Sequence, residues 1–110
     1  LSARTRGLIG AAELASMKRS AYLINTARGP IVEESALIAA LREKRIAGAA
    51  LDVFDTEPLP RDHPLRALPN AIVTPHLGYV TADNSRQFYG QTVESIRGFL
   101  DGKPVRVIAP

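Results

Sequence analysis

Three short apolar segments, each followed by residues that can do chemistry, constrain most strongly how this chain can fold. They span Tyr22–Ala27, Ala49–Phe54 and Ala71–Thr74. Nearly continuous apolar strands are typical of parallel sheets, whose neighbouring strands must be joined by crossovers such as helices. Between and before them, apolar residues at helical spacing predict helices over Ala11–Met17 and Glu33–Lys44. The pattern therefore predicts an α/β fold with a doubly wound parallel sheet of about three strands and flanking helices.

The remaining segments are predicted to be a loop and a longer helix. Residues Asp55–Asn70 contain four of the eight prolines, which favours a loop. A helix is expected to start with Thr81 or Asp83 as its cap and to end near Gly102, before an extended tail over Pro104–Ile108. Its apolar positions recur at helical spacing, at Phe88, Thr92, Ile96 and Phe99.

Composition and charge exclude several classes of protein. The chain has no cysteine, which excludes disulfides and thiolate metal sites and is compatible with the cytoplasmic location that we expect. The net charge is +3, but the basic residues are dispersed, without the blocks or aromatic interleaving typical of nucleic-acid binding. No apolar run approaches the roughly 20 residues that a membrane-spanning helix needs. We therefore expect no nucleic-acid partner, no membrane segment and no bound metal.

Candidate catalytic residues follow the three predicted strands. In parallel α/β sheets, ligands bind beyond the carboxyl ends of the strands. There the sequence has Thr26–Gly29, Asp52–Glu57 and Pro75–Gly78. A histidine can exchange a proton near neutral pH, a carboxylate can orient its ring, and an arginine fork matches a substrate carboxylate. Arg28, Glu57 and His76 together would suit a small acid that carries a hydroxyl or keto group.

Each of these residues also has an ordinary structural explanation. Arg28 could bind strand-end carbonyls, and His76 could be a loop or capping residue. Glu57 could be a solvated turn residue, and Asp52 a turn-forming acid. His63, within a proline-rich loop, is interpreted as a surface residue without a role.

Several linked motifs carry a specific resemblance to a known family. In chain order they are Leu23–Gly29, Val32–Glu34 with Ala36 and Leu37, Gly48–Phe54, Glu57 with Pro58, and Thr74–Gly78. Together they resemble the C-terminal signature of the D-isomer-specific 2-hydroxyacid dehydrogenases, which include phosphoglycerate dehydrogenase and glyoxylate/hydroxypyruvate reductase. The resemblance extends from about Thr5 to Val107.

The resemblance implies an activity and catalytic roles. The reaction would be hydride transfer between NAD, or NADP, and the C2 carbon of a D-2-hydroxy acid or 2-keto acid. Arg28 would bind the substrate carboxylate, His76 would donate and accept the proton, and Glu57 would pair with His76.

The resemblance also implies cofactor contacts. Thr26, Ala27 and Arg28 match a strand-end segment beside the cofactor, and Asp52 matches an acid near the nicotinamide carboxamide. His76 and Gly78 match the other side of the cofactor.

The sequence departs from the family pattern in two ways. Tyr79 and Val80 stand where many members have a small residue, which would narrow the space beside the nicotinamide. No G-x-G-x-x-G turn is present, nor the acid about 20 residues later that holds the adenosine ribose. We therefore expect the C-terminal half of an NAD(P)-binding domain over residues 1–100, and a tail over residues 101–110 that returns toward a substrate domain.

A fragment of that kind has consequences for activity and association. It would be inactive alone, and an open edge of its first strand, or its last helix, would pair with a second copy as a homodimer. The alternative function is a regulatory, protein-binding module like the corepressors on the same fold. Chemistry like that of formate dehydrogenase is disfavoured, because that branch pairs its histidine with glutamine and this chain has Glu57.

Overall fold

The three predicted strands form one parallel sheet in the computed structural model, which describes residues 1–108. They are β1 (Tyr22–Asn25), β2 (Gly48–Leu51) and β3 (Ala71–Val73), in the spatial order β1-β2-β3. The register pairs Asn25 with Leu51 and Leu51 with Val73. The strands therefore end level with one another, and the segments that follow them start from one edge of the sheet.

Two helices cover one face of this sheet, α1 (Ala11–Ser16) and α2 (Glu34–Arg42). Their buried side chains share a core with those of the sheet, which includes Leu14, Leu23, Leu37, Leu41, Ala49, Leu51 and Leu65. Side chains alternate between the faces of a strand, and on the opposite face Tyr22, Ile24 and Ile72 are each about two thirds exposed or more. The expected α/β class with a parallel, partly Rossmann-like sheet is confirmed.

The side chain of Asn25 ends β1 two residues earlier than the apolar pattern predicts. Its Oδ1 accepts a hydrogen bond from Ala27 N at 3.1 Å, and its Nδ2 donates to Arg28 O at 3.0 Å. Such local bonds compete with a strand ladder and form an Asx turn. Thr26 and Ala27 therefore lie in a turn rather than in the strand.

The second strand begins one residue earlier than predicted, because Gly48 belongs to it. The sequence pattern predicts a break at Gly48, yet a Cβ at this position would lie 2.7 Å from Asn70 O. Glycine therefore allows the close approach of the segment that leads into β3. At the other end, β2 stops at Leu51, so Asp52, Val53 and Phe54 begin the following loop.

The proline-rich segment between β2 and β3 contains no strand, as predicted, but it is more ordered than a surface loop. Its Pro64–Ala67 portion forms a short 3-10 turn that buries Leu65. The Arg66 guanidinium donates hydrogen bonds to Leu59 O and Pro60 O, both at 2.9 Å. A second unpredicted 3-10 turn, Gly29–Ile31, follows β1.

The chain divides into two compact units, Leu1–Leu77 and Gly78–Pro110. The second contains α3 (Ala82–Leu100), whose cap is Thr81, one of the two predicted residues: its hydroxyl accepts from Asn84 N at 3.1 Å. Gly102, with φ +67°, follows the helix as expected. No helix within residues 1–108 is both long and apolar enough to cross a bilayer.

The segment after α3 does not leave as a free tail. Lys103 N donates to Gly98 O at 2.8 Å, and Arg106 pairs with Glu94, so the chain turns back along the helix. Residues 109 and 110, the last two of the predicted tail, lie outside the described residues.

Candidate active site

Glu57 and His76 are in direct contact at the carboxyl edge of the sheet. Glu57 lies in the loop after β2, and His76 follows β3. The distance from His76 Nδ1 to Glu57 Oε2 is 2.6 Å, and the side chains are 34% and 35% exposed. The second carboxylate oxygen, Oε1, accepts a hydrogen bond from Phe54 N at 3.0 Å. The pair is thus held by two hydrogen bonds and remains partly exposed.

These contacts keep Glu57 ionised. The hydrogen bond with His76 is the largest cause that lowers the pKa of Glu57 below its ordinary value, and the Phe54 N–H lowers it further. The positive charge of Arg28 makes a smaller contribution in the same direction. At neutral pH an anionic carboxylate therefore holds Nδ1 of the ring.

Arg28 lies at the same edge because a glycine lets two loops touch. A Cβ on Gly29 would lie 2.0 Å from Phe54 C, so only glycine lets the loop after β1 rest directly on the loop after β2. Arg28 itself is exposed, and its Nη1 donates to Ala27 O at 2.6 Å. Arg28 therefore makes the contact with a strand-end carbonyl that its ordinary structural explanation predicts. Its positive charge also lies within electrostatic range of Glu57.

Asp52 is buried beneath the segment that carries His76. Asp52 is only 5% exposed. Its Oδ1 accepts hydrogen bonds from Thr74 Oγ1 at 2.5 Å and from Leu77 N at 2.8 Å. His76 between them adopts φ +56°, in the left-handed region that non-glycine residues rarely occupy. Asp52 is thus placed by the structure in contact with the His76 segment.

The other predicted cofactor residues are less constrained. Thr26 and Ala27 are exposed in the turn after β1, at the same edge as Asp52 and His76. Gly78 is the first residue of the second unit. No group of three or more metal-ligating side chains occurs within residues 1–108.

A cavity of about 450 Å³ adjoins the histidine–glutamate pair. It is lined by Phe54, Glu57, Pro58, Leu59, Arg66, Val73, Thr74, Pro75 and His76. Cavities of this size, mostly apolar with a few polar groups, are typical of small-ligand sites. Leu59 and Arg66 were not expected here, because the segment that contains them reads only as a proline-rich loop.

A second histidine–glutamate pair lies elsewhere in the first unit. His63 Nε2 is 3.0 Å from Glu34 Oε1, and the side chains are 16% and 24% exposed. Leu65 N donates to His63 Nδ1 at 3.4 Å, so Nε2 carries the ring proton and donates it to Glu34. The expectation that His63 is a surface loop residue is corrected: its side chain is mostly buried and joins the 3-10 turn to the start of α2.

Comparison with known proteins identifies the family. The family model described as "D-isomer specific 2-hydroxyacid dehydrogenase, NAD binding domain" matches residues 1–78. Glyoxylate/hydroxypyruvate reductase B of Citrobacter koseri is 47% identical over 103 residues, which cover 94% of this chain and 32% of that protein.

Solved structures agree in fold. A D-isomer specific 2-hydroxyacid dehydrogenase from Xanthobacter autotrophicus Py2 is 51% identical, with a TM-score of 0.86 over 96% of this chain and 35% of that one. A structure of an enzyme of this description from the same organism, in complex with NADPH and MES, has a TM-score of 0.75, with 51% identity over 96% of this chain and 43% of that one.

The chain spans about a third of the length of the curated relatives that it matches. The matched residues include β1, β2, β3 and the loops that bring Arg28, Glu57 and His76 to one edge. The chain belongs to the D-isomer specific 2-hydroxyacid dehydrogenase family, within the part described as its NAD-binding domain.

Proposed function

We propose that this chain carries the proton-transfer and carboxylate-binding groups of an NAD(P)-dependent D-2-hydroxyacid dehydrogenase whose substrate is a small 2-keto or 2-hydroxy acid. The observation that carries the proposal is the 2.6 Å contact between His76 Nδ1 and Glu57 Oε2, next to a cavity and within range of Arg28. The names of the relatives, glyoxylate and hydroxypyruvate reductases, support this substrate class.

Each side chain has a separate task in this reaction. Arg28 would give up its contact with Ala27 O and bind the substrate carboxylate through two charge-assisted hydrogen bonds. Because Nδ1 of His76 is held by Glu57, the ring would donate its proton to the keto oxygen through Nε2. Glu57 stays ionised and orients the ring.

The same edge would bind the nicotinamide end of the cofactor. When bound, the reduced nicotinamide supplies the hydride that C2 of the keto acid accepts. Exposed Thr26 and Ala27 are suited to line this site with Asp52, and Gly78 is proposed to complete it. NAD and NADP both remain candidates, since the family is described as NAD-binding and a structural neighbour contains NADPH.

The domain organisation that the family resemblance implies is part of the proposal. Residues 1–100 would form the C-terminal half of the NAD(P)-binding domain, and residues 101–110 would lead toward a substrate domain. A cytoplasmic location stays a prediction.

Self-association of the 110-residue chain is a further part of the proposal. In the part of the chain that the structure describes, β1 is an edge strand that pairs with β2 alone, and Tyr22 and Ile24 beside this edge are 72% and 71% exposed. An open edge with apolar neighbours recruits another strand. Light scattering of the isolated chain should therefore report a dimer, and a monomer at high concentration would contradict it.

The test of the proposed function is an assay of the protein at its natural length. NADH and NADPH oxidation would be followed with glyoxylate, hydroxypyruvate and larger 2-keto acids. Arg28→Gln should raise the KM for the keto acid by about 10- to 100-fold, as expected when a charged hydrogen-bonding partner is lost. Arg45→Gln is the matched control, because exposed Arg45 pairs only with its neighbour Glu43 among the described contacts.

The assay also separates the alternative function. A protein that binds NADH or NADPH but oxidises neither with any keto acid would contradict the dehydrogenase and favour a regulatory module. The close pairing of His76 with ionised Glu57 favours chemistry.

A further inference from the structure

The backbone of His76 needs an explanation that the catalytic roles do not supply. Its φ of +56° lies in a region that side chains with a Cβ rarely adopt, and such residues persist only where their surroundings hold them. The local bond from His76 N to Thr74 O, at 3.1 Å, closes a tight turn. Something must fix both ends of that turn.

Asp52 contacts both ends through a single oxygen. Its Oδ1 accepts from the hydroxyl of Thr74, before the turn, and from the backbone N–H of Leu77, after it. We call these three residues, Asp52, Thr74 and Leu77, the carboxylate clasp. The clasp encloses Pro75 and His76, and His76 is the proposed proton donor.

The clasp is anchored to the sheet on both sides. Asp52 N donates to Asn25 O at 3.0 Å, which extends the pairing of β2 with β1 by one step. Thr74 N donates to Leu51 O at 2.9 Å, which does the same for β3 and β2. The turn that carries His76 is therefore held by groups that the sheet itself positions.

The hydroxyl of Thr74 is the group of the clasp that a substitution can remove. Asp52 is buried, and a buried carboxylate is costly unless its oxygens receive hydrogen bonds. Thr74 is exposed as a residue, but its hydroxyl faces the buried carboxylate, so Thr74→Val would place a methyl group against Oδ1 in its stead. The replacement would remove the Thr74 bond from Oδ1 and keep the bond from the Leu77 N–H.

We propose that Thr74 is a positioning residue, whose hydroxyl acts through Asp52 to hold the His76 turn so that Nδ1 of His76 stays on Glu57. The proposal rests on the proposed function for its effect on turnover, and on the geometry of the clasp for its effect on the pair. It concerns a contact inside the protein and adds to the cofactor role proposed for Asp52.

The first test compares Thr74→Val with Thr74→Ser in the protein at its natural length. Thr74→Val should lower kcat by about 10- to 100-fold, since displacement of a catalytic group by about 1 Å can cost that much. Thr74→Ser keeps a hydroxyl and should restore kcat, and Thr92→Val, whose hydroxyl donates to Phe88 O within α3, is the control.

The second test measures the effect of the clasp on the histidine–glutamate pair and does not depend on turnover. The pKa of Glu57, followed by NMR of its carboxyl carbon, is held low chiefly by His76. In Thr74→Val it should rise toward its ordinary value, and in Thr74→Ser it should stay where it is in the parent protein. This readout remains decisive even for a protein that oxidises no cofactor, so failure of the clasp and failure of the proposed function are distinguishable.

Two results would overturn the proposal. One is a Thr74→Val protein with the parent kcat and the parent pKa of Glu57. The other is a Thr74→Ser protein as impaired as Thr74→Val, which would show that the methyl packing or the backbone matters and the hydroxyl does not. Should Thr74→Val fold poorly, Thr74→Ala removes the same hydroxyl without adding a methyl group and is held to the same criteria.

Discussion

The first unit contains two histidine–glutamate pairs that are alike in composition and differ in almost everything around them. His76 and Glu57 are 2.6 Å apart, about a third exposed, and adjoin a cavity of about 450 Å³. His63 and Glu34 are 3.0 Å apart and more buried, and their histidine accepts a backbone hydrogen bond on its other nitrogen. The first pair is the more exposed and lies beside the cavity, whereas the second is more buried and has both ring nitrogens of its histidine in hydrogen bonds.

The backbone makes the same distinction. His76 has a left-handed conformation held by the carboxylate clasp, while His63, with φ −64°, caps a 3-10 turn in an ordinary conformation. Strained backbone concentrates at functional sites, and capping residues are usually structural. The comparison teaches that accessibility and backbone strain, rather than the presence of a histidine–carboxylate pair, mark the candidate catalytic pair.

The largest difference in kcat between the two pairs is expected when the glutamate of each is replaced by glutamine. Glu57→Gln keeps a hydrogen-bonding group but removes the charge that faces the ring, and kcat should fall about 100-fold, the lower end of the range for general acid–base catalysis. Glu34→Gln should leave kcat unchanged. Turnover of both variants at saturating keto acid checks this, and equal losses would erase the distinction.

Stability should show the opposite order. His63→Ala removes a mostly buried bond to a carboxylate together with a cap, and it should lower the free energy of unfolding by about 1 to 3 kcal/mol. His76→Ala should cost less than about 1 kcal/mol, because partly exposed ion pairs contribute little. Urea unfolding of both variants measures the difference, and a larger loss for His76→Ala would contradict the assignment.

The smallest effect concerns the pH dependence of stability. The pKa of Glu57 is lowered in the folded state, chiefly by the hydrogen bond with His76, so the folded state binds protons less readily there. This contribution to stability is present at neutral pH and is lost as the pH falls through the folded-state pKa of Glu57.

A nearby carboxyl provides the contrast. Burial and the charge of Glu34 raise the pKa of Asp55, so its contribution has the opposite sign and stability gains as that group is protonated. As the pH falls from 7 to 3, the free energy of unfolding of the parent, measured with urea, should therefore lose a stabilising contribution that Glu57→Gln does not have. Identical pH curves for the two proteins would contradict the lowered pKa of Glu57.

The sheet and the polar residues at its carboxyl edge could be predicted from the sequence, because apolar strand patterns are local signals and parallel strands end at one edge. Arg28, Asp52, Glu57 and His76 were all expected at that edge and lie there. The strand limits were less accurate, since Asn25 ends β1 with its own side chain and Gly48 is needed inside β2 for a close contact.

Partnerships between distant residues were harder to predict. His63 and Glu34 are 29 positions apart, and no spacing rule joins a loop histidine to the first turn of a helix. Asp52 and Thr74 are 22 positions apart, and their contact depends on the register of β2 with β3. The acid expected near the cofactor was therefore visible in the sequence, while its contact with the His76 turn was not.

The most direct test of the central claim is the turnover of the two histidine variants, measured side by side in the protein at its natural length. With keto acid and reduced cofactor both saturating, His76→Ala should lose about 10²- to 10⁴-fold in kcat, the range for loss of a general acid. His63→Ala, assayed at a temperature where it remains folded, should keep the parent kcat. A His76→Ala protein that turns over as fast as the parent, or a His63→Ala protein as impaired as His76→Ala, would contradict the account.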